Sequence, residues 1–288
     1  MTDITRQEVI EEKSPPSLIR RLPSSRIAMI GIGLILFWVV LAVLAPWLGL
    51  PPPNAQDYAA IATPGPSGAH WLGVDQTGRD MLSRLIWGAR TVLTVAPIAV
   101  VAAYLVGCAM GLLAGYYAGF VDTIVSRISD VILSFPIIVL YVILIANIGP
   151  SMLNIIVAVI LASAPGIGRI VRGLVLELKN HDFVAAALLR RETPLYIMVV
   201  ELLPNCRGPL ITDFCLRLGY TTITIGILGF LGLGLPPPDP DWGGMVQQAT
   251  AMITVWPHMA LFPCLALVSL VLGFNLLADG LRELSLSD

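Results

Sequence analysis

Charge is what this chain has least of. Only 12% of its 288 residues are Asp, Glu, Lys or Arg, about half the share of an ordinary soluble domain. Lysine is nearly absent: Lys13 and Lys179 stand alone, and neither follows a glycine. That excludes a GxxxxGK[ST] phosphate loop, whose lysine reaches the phosphates of a bound nucleotide. Histidine occurs three times and forms no HExxH or Ser/His/Asp set, so no hydrolytic centre is visible. Cys108, Cys206, Cys215 and Cys264 are scattered through apolar stretches without a CxxC pair. This argues against a disulfide framework or a zinc site and leaves buried apolar filling as their role. A net charge of -2 offers no basic patch to nucleic acid.

Apolar residues are in excess, at 56% with a mean hydropathy of +0.83. About 20 apolar residues span the hydrocarbon core. Residues 27–48, 91–118, 208–232 and 257–277 each satisfy this, and 131–167 makes two spans by breaking at Gly149-Pro150-Ser151. The expectation is an all-α integral membrane protein of six transmembrane helices. The first apolar run is too long for a signal peptide's core, so it reads as a retained span.

Lys and Arg set the orientation. With the N-terminus in the cytoplasm, most of the 17 basic residues fall inside: those of the tail, 1–26, Arg127, Arg282, and Arg169, Arg172, Lys179, Arg190, Arg191 and Arg207 around one polar insert. Arg79, Arg84 and Arg90 fall outside, a bias that follows the positive-inside rule. Both termini and the insert are then cytoplasmic, and the connections at 49–90 and 233–256 face the other side. The domains expected are the tail at 1–26, a first span at 27–48, an external loop at 49–90, a five-span core at 91–280 and a C-terminal tail at 281–288.

Four features stand out. Gly107, Gly111, Gly115 and Gly119 recur every four residues and make a stripe for close helix packing. Asp213 and Arg217 share a helix face within a span, as a structural ion pair or as part of a transport pathway. In the 70–90 segment, Met81, Leu82, Leu85 and Ile86 at helical spacing predict an amphipathic helix on the membrane surface. Asp80 and Arg84 would pair there, and His70 stands alone. In the other external loop, prolines at 236–238 and Pro240 predict a stiff connector, with Trp242 at the membrane interface. Pro238, Asp241 and Trp242 are candidates for docking an external partner.

The insert itself spans 177–205. The Ala185–Leu189 run favours a helix, with Asp182 in its first turn and Pro194 ending or kinking it. A second run follows and ends at Pro204-Asn205. Small side chains over one turn let such a helix sit in a partner's groove; the alternative is a helix lying on the headgroups, held by Arg190 and Arg191.

HWLGVDQTGRDMLSR (70–84), SRISDVILSFP (126–136), GFLGLGLPPPDPDWGGM (229–245) and FNLLADGLRE (274–283) together resemble the C-type permease subunits of dipeptide/oligopeptide ABC importers, over roughly residues 24–285. The branch also includes nickel, glutathione and opine permeases. The resemblance implies the type I ABC importer permease fold in a bacterial inner membrane, surrounded by lipid. It implies a homologous B-type permease, two cytoplasmic ABC ATPases that bind the ATP and Mg, an external solute-binding protein and a peptide substrate. It also implies that the insert is the coupling helix that docks on the ATPase. Asp182, Phe183, Ala185, Ala186, Ala187, Arg190, Arg191, Pro204 and Asn205 then carry ATPase coupling. Ala186 and Ala187 match the family's alanine pair, while Ala185 stands at its acidic position and Arg191 at its glycine. An arginine there is expected to exclude a turn with positive φ. A stand-alone secondary transporter and a membrane scaffold are the other classes open to such a chain.

Overall fold

The structure, a computed structural model, describes residues 22–236 and 238–286. The N-terminal basic residues up to Arg21, and Pro237, lie outside them. Among the described residues, five helices are long and apolar enough to cross a membrane: α1 (Arg26–Leu44), α2 (Met81–Tyr117), α5 (Met152–Leu178), α8 (Arg207–Phe230) and α10 (His258–Leu286). A sixth crossing exists if α3 (Gly119–Leu133) and α4 (Ile137–Ile148) count as one bent span, their axes meeting at 86°. Shorter α-helical segments among the described residues include α6 (Asp182–Leu189), α7 (Pro194–Asn205) and α9 (Trp242–Ala249).

The third crossing differs from the expectation. Arg127, expected in a connection, lies within α3. Asp122 of α3 holds Arg172 of α5 through two bonds of 2.5 and 2.6 Å, and Asp130 pairs with Arg169. The chain then bends at Ser134–Pro136, where Pro136 has no amide hydrogen to continue the ladder.

The second crossing differs more. Helix α2 has 37 residues, about 55 Å at 1.5 Å each, far beyond the ~30 Å hydrocarbon core. The expected surface helix is the first part of this one helix. Met81, Leu85 and Ile86 are buried in protein rather than laid on lipid.

The glycine stripe explains how α2 meets α5. A Cβ at Gly107 would lie 2.6 Å from the Ile167 Cβ, at Gly111 2.5 Å from the Val171 Cβ, and at Gly115 2.7 Å from the Val175 Cβ. Only a missing side chain permits that approach. Gly119 is not part of the contact: it sits beyond the end of α2 at φ +54°, with nothing within 4 Å of the place a Cβ would take.

Candidate functional sites

The polar insert folds as two short helices. His181 precedes α6 in extended backbone, and Asp182 lies in its first turn, where a negative charge favours the helix dipole. Val184 and Ala187 face inward, packing with Ile197, Met198 and Leu202 of α7. Ala185, Ala186, Leu188 and Leu189 face outward, and Leu189 is 85% exposed. Phe183 is half-buried, its ring 6.0 Å from that of His181. The three alanines are thus divided: two point out and one is core.

The turn after α6 corrects an expectation. Arg191 does adopt positive φ, at 59°. Its N–H donates to the Leu188 carbonyl at 2.9 Å, and the Glu192 N–H donates to the Ala187 carbonyl at 3.2 Å. Those two bonds are a Schellman motif. The carbonyls at the helix end need partners, and the turn supplies them despite a left-handed cost of about 1–2 kcal/mol for an L-residue. Arg190 pairs with Glu201 at 2.7 Å and Glu192 at 3.4 Å. Helix α6 ends before Pro194, which instead opens α7 after the Thr193 cap. Six residues of α7, Ile197–Leu202, form a π turn. Pro204 lies just downstream, and its missing N–H and bulky ring favour such a widening. Pro204 and Asn205 are exposed, and the Asn205 side chain donates to the Glu201 carbonyl at 2.6 Å.

At the opposite end of α2, the 49–80 loop is tied into a polar knot. Asp75 accepts from the Thr77 N–H at 2.8 Å, the Thr77 hydroxyl at 2.7 Å and the Arg79 Nε at 2.6 Å. Arg79 also donates to Gln248 of α9 at 2.8 Å. The expected Asp80–Arg84 pair does not form. Asp80 caps α2 through the Ser83 N–H at 2.7 Å. Arg84 is 2% exposed and turns to Asp75 at 3.6 Å, with the Pro53 carbonyl and Asn54 beside it. Nor is His70 alone: Nδ1 is 2.8 Å from Asp80 and Nε2 is 3.3 Å from Asp57. The hydrogen bond to Asp80 raises the His70 pKa, and the bond to His70 lowers that of Asp57. A histidine bridging two carboxylates leaves no mark in the sequence; the Asp57, His70 and Asp80 spacing is too long for any local periodicity.

The second external segment joins the same knot. Trp242 is fully buried, its indole N–H donates to the Leu85 carbonyl at 2.8 Å, and its ring stacks edge-on against Trp38 at 4.9 Å. It is not at a lipid interface. Asp241 is 4% exposed and caps α9 by accepting from the Gly243 and Gly244 N–H groups; burial pushes its pKa up to about 6. Asp241 and Trp242 are therefore closed to an external partner in this structure, whereas Pro238 is exposed.

Within the membrane-spanning part, Asp213 Oδ2 meets Arg217 Nε at 2.7 Å. The Tyr104 hydroxyl of α2 donates to the same Asp213 oxygen. Tyr104 does not stand out in the sequence, since one tyrosine in an apolar run carries no pattern. Among the described residues no group of three His, Cys, Asp or Glu is placed to hold a metal.

The chain matches two family models. Residues 107–286 match the binding-protein-dependent transport system inner membrane component, and residues 17–65 match the N-terminal TM domain of oligopeptide transport permease C. It is 41% identical over 251 residues to the glutathione transport system permease protein GsiD of Pectobacterium atrosepticum, covering 86% of this chain and 83% of that one. It is 36% identical over 268 residues to the dipeptide transport system permease protein DppC of Alkalihalophilus pseudofirmus, covering 92% and 86%. Its fold is similar to a chain of the MetNI methionine ABC transporter in an inward-facing form, with TM-score 0.58 and 21% identity, over 72% of this chain and 98% of that one. The chain belongs to the binding-protein-dependent transport system inner membrane component family, and it is a multi-pass permease subunit of an ABC importer.

Proposed function

We propose that this permease carries short peptides, drawing its energy from ATP bound with Mg on two partner ATPases. A homologous B-type permease completes the pathway, and an external solute-binding protein delivers the cargo. The observation that carries the ATPase partnership is the outward face of α6, where Leu188 and Leu189 are 55% and 85% exposed on a helix with a packed inner side. Apolar side chains on a polar insert favour a groove in another protein over solvent. The basic residues clustered at this end of the bundle, Arg169, Arg172, Lys179, Arg190, Arg191 and Arg207, support a cytoplasmic insert and cytoplasmic termini. The 49–80 knot then lies outside, where Pro238 remains open to the binding protein.

Movement of α6 by the closing ATPases would shift the spans between outward- and inward-facing packings of similar free energy. The Gly107, Gly111 and Gly115 seam gives α2 and α5 a backbone-close contact that travels with this change as one unit. Glutathione and dipeptides are the cargoes named for the two relatives, and both are short peptides with free carboxylates. The 41% relative favours glutathione as the second reading.

The test is reconstitution of the permease with its partners in proteoliposomes and competition of dipeptides, glutathione, nickel and opines for uptake. Peptide uptake that requires ATP supports the proposal; uptake by the purified chain alone overturns it. Ala186, exposed on the outward face, is expected to tolerate Trp in folding. The Ala186→Trp chain should lose at least about tenfold in coupled uptake, the scale of ~1.4 kcal/mol in a coupling step; unchanged uptake contradicts the lever.

A further inference from the structure

One face of α8 is polar at a depth where lipid would penalise it. Asp213, Arg217, Tyr220 and Thr224 follow one another at steps of four, three and four, which puts them on a single stripe. Arg217 is about ten residues into the helix, or ~15 Å from its start, near the middle of the span. The opposite face of α8, with Cys215, Leu218, Thr222 and Ile225, is buried in the bundle. The stripe is not: Tyr220 is 62% exposed, and the Asp213 and Arg217 side chains are 21% and 20% exposed.

The guanidinium has donors to spare. Arginine carries five N–H groups, and the Nε–H is used on Asp213 at 2.7 Å. The terminal nitrogens lie over Gly166 of α5, where an added Cβ would be 3.4 Å from one and 3.7 Å from the other. Arg217 also lies within electrostatic reach of the buried Tyr141 of α4, whose hydroxyl meets Ser163 of α5 and Thr224 of the stripe; Thr224 itself donates to the Tyr220 carbonyl at 2.9 Å. A partly exposed guanidinium edge at mid-depth is costly against lipid tails. Water, another polar chain or a passing solute must cover it.

The balance of charge selects among these. Asp213 and Arg217 already neutralise each other. A permanent second carboxylate from a partner helix would leave a standing surplus negative charge at mid-depth, whereas a transient one is borne only during passage.

We propose that the Asp213–Thr224 stripe lines the solute lane and that the terminal N–H groups of Arg217 receive the carboxylate of the passing cargo. This rests on the short-peptide reading given above. Arginine suits the task because its planar fork meets both oxygens of a carboxylate. Asp213, with Tyr104 donating to it, holds the guanidinium in place and is a positioning residue.

The experiment uses the whole importer in proteoliposomes, with uptake of a labelled dipeptide measured as its free acid and as its C-terminal amide. The ratio of the two rates is compared between the wild type and the double variant Asp213→Asn/Arg217→Gln, which removes both charges and strands neither. The binding protein's own preference is the same in both and cancels. The expected result is a fall of at least about tenfold in the acid-to-amide ratio, the scale of a charge-assisted hydrogen bond, with copurification of the B-type permease kept. An unchanged ratio overturns the proposal alone. A variant that no longer copurifies with the B-type permease overturns it in favour of a subunit contact. A wild type that moves neither peptide removes the short-peptide reading, and the proposal with it.

Discussion

The two ends of α2 treat polar residues in opposite ways. At the Asp80 end, nearly every charged group is spent on the protein itself. Asp75 takes Arg79 and Arg84, Asp80 takes Ser83 and His70, and Asp241 caps α9 under Trp242. At the insert end, α6 is held by the buried Val184 and Ala187 and the half-buried Phe183, and its other side chains point outward. A motif rich in specific residues is thus structural here, while the plainer segment holds the available surface. The residue-dense 70–84 stretch carried part of the resemblance in the sequence, although the family models match 17–65 and 107–286; the face proposed for docking needs only shape and apolar area.

That contrast is broken most forcefully at Trp242. Its side chain is fully buried, bonded to the Leu85 carbonyl and packed on Trp38. Trp242→Ala leaves a cavity and a carbonyl without its donor, and is expected to cost about 3–5 kcal/mol. Thermal unfolding in detergent checks this. If Trp242→Ala melts within about a degree of the wild type, the knot is not what holds this end together.

A smaller effect separates the ends by pH. The His70 pKa is raised in the folded state by its bond to Asp80. The folded protein therefore binds the proton more tightly than the unfolded chain. The resulting stability is full below the ordinary histidine value of about 6.5 and is lost as pH rises through the higher folded value. A hydrogen bond to a charged group contributes about 1.5–3 kcal/mol, so the melting temperature should fall across that window. His70→Asn should flatten the slope. Asp241 acts at lower pH: with its folded value near 6, the folded state again holds the extra proton, and stability declines as pH rises from about 4 to 6. Because the two windows are separate, a slope that persists above pH 6.5 in His70→Asn would rule out the bridge as its source.

How far the sequence led follows from the same division. The spans were legible because lipid imposes a length and composition on every crossing. The chain break at Gly149–Ser151 was legible from glycine and proline. The 86° bend within the third crossing was not, since a single Pro136 in an apolar run also fits an uninterrupted span. The burial of the start of α2 is not legible, because Met81, Leu85 and Ile86 at helical spacing fit a lipid surface and a protein interior equally well. Periodicity names the apolar face of a helix and says nothing of what covers it. Asp57 lies 13 residues from His70, and tertiary folding alone brings them together. The Asp213–Arg217 pair was legible because four residues on a helix set its geometry; Tyr104, 109 residues away, was not.

The smallest effect sharpens the comparison at the insert. Arg191 stands at φ 59° in a Schellman turn that glycine would enter without the clash of a Cβ. Arg191→Gly removes that local cost of about 1–2 kcal/mol but also frees the unfolded chain, which takes back up to ~1 kcal/mol. The net gain is about 1 kcal/mol or less, felt in the turn rather than in the knot. Hydrogen exchange reads it locally: the amides of Arg191 and Glu192, which donate to Leu188 and Ala187, should slow by up to about fivefold, while those around Asp75 and Trp242 keep their rates. Faster exchange at Arg191 and Glu192 would mean that the arginine side chain stabilises the turn by more than its backbone strain costs. Arg191 would then, like Arg190 with Glu192 and Glu201, spend its charge on the insert's own fold.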